Sequence, residues 1–229
     1  MQKAIAIIIP ALNEAEVLPA TLVSLQPLRQ QGVELIMVDG GSVDKTREVA
    51  QGLVDHCLET TAGRAQQMNQ GAALATAELL LFLHADTQLP VDAYQQLITL
   101  PSTPNLWGRF NVRLDGPQWA LRLIERMMNW RSCLTGMVTG DQGMFVSKAL
   151  FERVQGFPSI ALMEDIAISK QLKQYSAPIC LKSTMLTSSR RWQQHGILRT
   201  VLLMWRCRWA YFFSADPAVL AKKYASRRH

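Results

Sequence analysis

The sequence predicts an α/β fold: a Rossmann-like, mostly parallel sheet flanked by helices in the first half, and a mixed α+β second half closed by C-terminal helices. Three observations lead there. Short unbroken apolar runs recur at residues 4–9, 35–38 and 79–83, the pattern of strands buried on both faces. Segments of helical length with capping residues separate them, and β-α-β alternation of this kind builds parallel sheets. Each of these runs also leads into a loop carrying a carboxylate, at Glu14, Asp39 and Asp86.

The first run, Ala4-Ile5-Ala6-Ile7-Ile8-Ile9, stops at Pro10. A loop through Ala11, Asn13 and Glu14 leads to a helix over residues 16–30, with Pro19 near its first turn, where proline is tolerated. The second run ends at Asp39-Gly40-Gly41-Ser42, and Ser42 or Asp44 can cap a helix over residues 45–52. A short strand at 54–58 and a helix at 63–76 precede the third core run, Leu79-Leu80-Leu81-Phe82-Leu83. Beyond Pro90 the pattern loosens. A helix is expected over 91–100, and residues 110–114 alternate like a half-exposed strand. An amphipathic helix over 119–130 places Leu123, Met127 and Trp130 on one stripe, which reads as core packing. Further elements are a strand at 143–146, a short helix at 150–154, a helix at 163–175 opening on Glu164-Asp165, a strand at 179–185, and helices at 196–213 and 217–225.

At 229 residues the chain suits one domain. It divides into a regular α/β half (1–104), a mixed α+β half (105–195) and a basic amphipathic tail (196–229). With 48% hydrophobic and 18% charged residues it can build a full core. The net charge of +6 is concentrated in residues 190–229, which suggests phosphate-bearing ligands or an anionic membrane surface. Cys57, Cys133, Cys180 and Cys207 show no C-x-x-C spacing, so free thiols in a reducing compartment are expected. The chain opens directly on a strand with no signal peptide, and its longest apolar stretch is broken by Arg199, Arg206 and Arg208. A cytoplasmic protein is the expectation.

Parallel strands put their carboxyl ends on one side, so Glu14, Asp39 and Asp86 should line a single sheet edge, where open α/β folds bind ligands. Turn capping explains each acid but does not predict the set. A dinucleotide site is disfavoured, because Pro10-Ala11-Leu12-Asn13-Glu14 has no G-x-G-x-x-G. His84, Asp86 and Gln88 could together hold a divalent cation, since Mg²⁺ and Mn²⁺ take few carboxylates and complete their shell with substrate phosphates.

Three stretches in the first half, Ile9-Pro10-Ala11-Leu12-Asn13-Glu14, Val38-Asp39-Gly40-Gly41-Ser42-Val43-Asp44-Lys45-Thr46 and His84-Ala85-Asp86, resemble the N-terminal motifs of family 2 glycosyltransferases. The likeness continues through Gly140-Asp141-Gln142-Gly143-Met144-Phe145 and Met163-Glu164-Asp165-Ile166, and with Ser189-Arg190-Arg191-Trp192 it looks like a small bacterial subgroup of unassigned acceptor. The resemblance implies the GT-A fold and a nucleotide-sugar donor. It implies that Pro10, Ala11, Glu14, Asp39 and Asp44 line the nucleotide pocket, with Arg64, His84 and Arg191 also on the donor. Asp86 would be the metal-ligating acid, with Gln88 and His195 as further Mn²⁺ or Mg²⁺ ligands. The family usually has Asp where His84 stands, so His84 either ligates or is a neutral hydrogen-bonding stand-in.

By the same resemblance, Glu164-Asp165 supplies the catalytic base, with Asp165 preferred, and Asp141 and Trp192 contact the acceptor. Processive relatives carry Q-x-x-R-W, and Ser188 replaces that Gln here, which points to a non-processive enzyme. The expected reaction is metal-dependent inverting sugar transfer to an unidentified acceptor, with a lipid-linked one as a candidate. The partners implied are a nucleotide-sugar and the inner face of a membrane, with no nucleic acid. The alternatives are a nucleotidyltransferase of related architecture and a non-catalytic nucleotide-sugar-binding module.

Overall fold

β-branched and leucine-rich runs too short for helices settle as strands when both faces can be covered, and the first half of the chain does this in the expected order. β1 (Ile5–Ala11), α1 (Leu18–Gln30), β2 (Glu34–Asp39), α2 (Thr46–Ala50), β3 (His56–Glu59), α3 (Arg64–Leu74) and β4 (Leu79–Phe82) alternate along the chain. The second half holds β5 (Thr87–Gln88), α4 (Ala93–Thr99), β6 (Trp107–Leu114), α5 (Trp119–Thr135), β7 (Phe145–Ser147), α6 (Lys148–Arg153), α7 (Glu164–Leu172), β8 (Ile179–Thr187), α8 (Arg190–His195) and α9 (Ile197–Phe212). This computed structural model describes residues 4–213, 216, 217, 219 and 220, without the side chains of Arg191, Gln194, His195 and Leu198. The helix expected over 217–225 therefore lies mostly outside the described residues.

One eight-stranded sheet runs in the order β3-β2-β1-β4-β7-β6-β8-β5. β1 pairs parallel with both β2 and β4, and β3 is parallel to β2. β7 reverses direction between β4 and β6, which gives the second half its mixed character. Along β1 successive residues enter opposite cores. Ile5, Ile7 and Ile9 pack with Leu18, Leu22 and Leu25 of α1, whereas Ala6 and Ile8 pack with Met68 and Ala72 of α3.

The stripe on α5 overturns the sequence expectation. Leu123, Met127 and Trp130 are exposed, and the buried face carries Leu121, Glu125, Met128 and Ser132. The reason lies in β6. Its outer portion pairs with β8 on one side, while β7 reaches only Trp107 and Gly108 on the other. Unpaired backbone groups must still be satisfied, and polar side chains of α5 do it. Asn129 accepts from the Val112 amide at 2.9 Å and donates to its carbonyl at 3.0 Å. Glu125 accepts from the Leu114 amide at 2.6 Å, and Arg122 donates to the Leu114 carbonyl at 2.6 Å. The helix thus turns Arg122, Glu125 and Asn129 inward beside Leu121 and Met128, and an apolar stripe points outward.

Cys133 and Cys180 also depart from the free-thiol expectation. They form a disulfide between α5 and β8, with Cα atoms 6.0 Å apart, while Cys57 and Cys207 remain free. Linear spacing gave no sign of it, because 47 residues separate the two and only the packing of α5 over the sheet brings them together.

Gly108 marks the tightest approach in the sheet. A Cβ there would lie 2.2 Å from the Ile179 carbonyl oxygen and 2.5 Å from the Phe145 ring. Gly108→Ala should therefore destabilise the protein by roughly 1–3 kcal/mol, the usual cost of overpacking a dense interior. A denaturant or thermal melt checks this, and an unchanged midpoint would show that β6 and β8 can move apart freely.

Candidate functional site

Because β1, β2 and β4 are parallel, the loops after them meet at one edge, and hydrogen bonds lace the first two together. The Asn13 amide donates to Ser42 Oγ at 2.8 Å, and the Val43 amide donates back to Asn13 Oδ1 at 2.9 Å. Asn13 takes the left-handed conformation, with φ of 55°, which asparagine tolerates better than most residues. The Glu14 amide donates to Thr46 Oγ1 at 2.8 Å, and the Ala15 amide to Asp44 Oδ2 at 3.1 Å. Hydrogen bonding from Thr46 holds the Asp44 carboxyl below its usual range. Asp39 is fully buried and accepts from the Gly41 and Ser42 amides and from Ser42 Oγ. Its carboxylate shapes the loop that follows it.

Beneath these loops, Gln67 is buried on α3. Its Nε2 donates to the Ala11 and Val38 carbonyls, each at 2.8 Å, and so ties the ends of β1 and β2 together. Sequence reasoning missed it, since Gln66-Gln67 carries no sign of which amide turns inward.

At the end of β4 the chain turns through His84 and Asp86. The His84 ring lies against the Arg64 guanidinium and Gly140, where a Cβ on Gly140 would meet its Nε2 at 2.4 Å. Burial, and then Arg64, push His84 well below its usual pKa. A neutral ring of this kind can accept a hydrogen bond or ligate a metal, and both roles ask for the same protonation state. Burial raises the Asp86 carboxyl, with Arg190 and Arg64 opposing and Asp141 reinforcing the rise. Gln88 is exposed on β5, whose backbone pairs with β8. Glu14 and Arg190 form an ion pair at 3.3 Å, so the guanidinium fixed over this edge is that of Arg190. The Arg191 and His195 side chains lie outside the described residues.

Glu164 and Asp165 open α7 from a left-handed Met163, with φ of 71°, and their surroundings separate them. Glu164 faces Arg64, Nε to Oε1, at 3.7 Å. Asp165 accepts from the Gly140 amide at 3.1 Å and from its neighbour Ile166 at 2.7 Å. Burial, and next the Glu164 charge, push its pKa up to about 6. Pro10, His84, Gly140, Glu164 and Asp165 line one small cavity floored by Met68, Phe82, Met144 and Phe157. A second, larger cleft opens at the other end of β4, around Thr76, Glu78 and Lys148, away from the edge that carries Glu14, Asp39 and Asp86.

Asp141 sits in the turn just before β7, with a buried Oδ1 that has no hydrogen-bond partner among the described residues. Arg131 of α5 and Arg208 of α9 also bear on this side. Arg208 acts on both Arg131 and Asp165. Neither arginine was expected at the site from the sequence, because neither belongs to a local motif. Trp192 is not brought to the carboxylates. It packs in a small core with Leu114 and Leu121.

Among the described residues no three His, Cys, Asp or Glu side chains form a ready metal cage. Asp86 and Asp141 nevertheless lie close enough to influence one another, and one or two carboxylates completed by substrate phosphates suit Mg²⁺ or Mn²⁺. The unpartnered Oδ1 of Asp141 fits such a role, so the chemistry of these two carboxylates is compatible with a divalent ion.

The sequence model of glycosyl transferase family 2 matches residues 6–152, more than half of the chain. The chain belongs to this family. The chain is 44% identical over 92 residues to the PGL/p-HBAD biosynthesis glycosyltransferase of Mycobacterium tuberculosis, a match covering 37% of this chain and 36% of that relative. The chain thus spans only about a third of the length of that curated relative. Its fold is shared with GT-A glycosyltransferases. A mannosyltransferase from Pyrobaculum calidifontis in complex with GDP-Man and Mn²⁺ superposes with a TM-score of 0.65 at 19% identity, covering 100% of this chain and 66% of that one. Glucosyl-3-phosphoglycerate synthase from Mycobacterium tuberculosis, in complex with Mn²⁺, UDP and glucosyl-3-phosphoglycerate, gives 0.58 at 18% identity, covering 80% and 70%. In this family member the Pro10, Asp39 and His84 motifs all fall inside the matched region.

The raised Asp165 pKa has a consequence for stability. Below the ordinary value of 3.8 the group is protonated folded or unfolded. Between 3.8 and about 6 the unfolded chain releases the proton first, so stability falls as pH rises, and the loss is complete above about 6. Asp165→Asn removes that loss. Its melting temperature should exceed the parent's near neutral pH and converge on it below about pH 4. A melt series across pH checks this, and a gap that stays constant with pH would contradict it.

Proposed function

We propose that this family 2 glycosyltransferase moves one sugar from a nucleotide-sugar onto an acceptor hydroxyl with inversion, using a divalent ion. The observation that carries the reading is how the Gly140-Asp141 turn spans the two sides of the site. The Gly140 amide donates to Asp165, while the Asp141 carboxylate acts on Asp86. Arg64 reaches both sides, acting on Asp86 and on Asp165. A donor-side acid and an acceptor-side base are thereby held around one centre.

In this reading the laced loops through Asn13–Ala15 and Ser42–Thr46 receive the nucleoside, together with Pro10, Ala11, Glu14, Asp39 and Asp44. Arg64 and Arg190 lie where a diphosphate would be held, and His84, neutral, donates or accepts a hydrogen bond there. Asp86 and Asp141 would hold Mn²⁺ or Mg²⁺, which when bound neutralises charge building on the leaving diphosphate. Asp165 takes the proton from the acceptor hydroxyl as its oxygen attacks the anomeric carbon. The bond from that carbon to the phosphate oxygen breaks on the opposite face, and the nucleoside diphosphate leaves. A base pKa near 6 suits proton transfer at neutral pH. Glu164, held by Arg64, keeps that arginine in place and raises Asp165 by its charge.

Transfer of single sugars is supported by Ser188 in place of the glutamine of Q-x-x-R-W and by the packing of Trp192 into a core. The acceptor is proposed to be lipid-linked and presented at the cytoplasmic face of a membrane.

Two measurements test the chemistry. A thermal-shift screen of UDP-, GDP- and TDP-sugars with and without Mn²⁺ should find a donor that raises the melting temperature only with the ion. Asp86→Ala should abolish that dependence, and equal ion-dependent binding by mutant and parent would remove Asp86 from the metal role. Asp165→Asn should keep donor affinity and lower turnover about 10²-fold or more, the range for a lost general base. If Asp165→Asn stays active while Glu164→Gln is dead, the base is Glu164.

A further inference from the structure

α5 and α9 pack against each other, with Leu121 and Ile124 on one side and Ile197, Val201 and Met204 on the other. Each turns a second apolar face to solvent. On α5, Trp119 is 79% exposed and Trp130 70%, with Leu123, Met127 and Leu134 on the same stripe. On α9, Trp209 is 65% exposed and Phe212 73%, in line with Leu202 and Trp205. Phe213 continues the group, its ring 5.5 Å from that of Trp209 and 5.6 Å from that of Phe212. Isolated exposed apolar residues need no explanation, but contiguous stripes of this kind mark interaction surfaces.

The charges on the two helices select the partner. Together α5 and α9 contain six arginines (Arg122, Arg126, Arg131, Arg199, Arg206 and Arg208) and a single carboxylate, Glu125. Glu125 is buried and paired with Arg122 at 3.0 Å. Arg126, Arg199 and Arg206 are exposed beside the apolar stripes. A second copy docked across a two-fold axis would set this basic surface against itself. Residues 221–229 carry Lys222, Lys223, Arg227 and Arg228 and no acid, so they complement it no better. Tryptophans on an apolar face bordered by arginines fit the interface of an anionic bilayer, where aromatic rings sit at headgroup depth and each basic residue adds about 1 kcal/mol.

We propose that the outward faces of α5 and α9 form one docking surface for anionic phospholipid. The same helices border the acceptor side: Tyr211 of α9 bears on Asp165, and its ring receives Lys170 of α7 at 5.1 Å. Docking through them would bring the catalytic carboxylate to the bilayer surface. Its purpose rests on the reading of a lipid-linked acceptor, whereas its test needs neither donor nor acceptor.

The test is flotation of the full chain with vesicles of phosphatidylcholine alone and of phosphatidylcholine with phosphatidylglycerol. Binding should appear only with phosphatidylglycerol and weaken as salt is added. Trp130→Asp combined with Trp209→Asp should reduce binding tenfold or more. So should Arg126→Glu combined with Arg206→Glu, which alters only exposed positions and serves should the tryptophan pair fail to fold. Unchanged melting temperature and nucleotide binding would show that either variant is intact. No binding to either vesicle overturns the proposal, as does phosphatidylglycerol binding that both intact variants retain. A dimer in sedimentation equilibrium that the tryptophan pair dissociates would assign the surface to a second copy instead and would equally overturn it. Loss of sugar transfer with vesicle binding intact would count against the proposed activity and leave the docking surface standing.

Discussion

The parallel pairing of β1 with β2 on one side and β4 on the other is the constraint on which the site depends. Pairing of Ala11 with Asp39 and of Ile8 with Phe82 brings three strand ends to one edge. Side chains alternate faces along each strand, so a shift of one residue in β1 would exchange its two cores. It would also carry the Glu14 loop away from Thr46 and Asp44. Gln67 reinforces the arrangement by bonding at once to the Ala11 carbonyl at the end of β1 and the Val38 carbonyl near the end of β2, a buried amide used as a staple between strands.

A second constraint acts at the far side of the sheet. β7 leaves much of one edge of β6 unpaired, and a buried edge with open amides and carbonyls is costly. Arg109, which is buried, donates to the Asn129 carbonyl at 2.7 Å. Arg122, Glu125 and Asn129 of α5 take up the remaining groups. With these polar groups turned inward, α5 is left presenting an apolar stripe, with Arg126 beside it, to the outside. One backbone requirement therefore shapes the outer face of α5.

The neighbouring carboxylates Glu164 and Asp165 show how environment divides one motif into two roles. Arg64 pairs directly with Glu164, whereas Asp165 has burial, the Glu164 charge and two backbone amides about it, with Arg64 and Arg208 only partly opposing the rise. The acid without a full counter-charge is the one whose proton becomes available near neutral pH, which is the general route by which paired carboxylates acquire different tasks.

The strand and helix order of the first half was legible in the sequence, because doubly buried strands demand unbroken apolar runs and the loops between them demand capping and turn residues. The three acids at one edge followed from parallel direction alone. The sequence could not show which way the α5 stripe points. Helical periodicity reveals that a helix has two faces, but the hydrogen-bonding needs of β6 decided which was inside. Nor could it show the Cys133–Cys180 bond, the burial of Trp192 or the inward turn of Gln67, since each depends on residues far away in the chain. Local periodicity and turn chemistry determined the elements and the edge. Long-range satisfaction of backbone groups and charges, present only once the chain is folded, decided which side chains reach the site and which face the solvent.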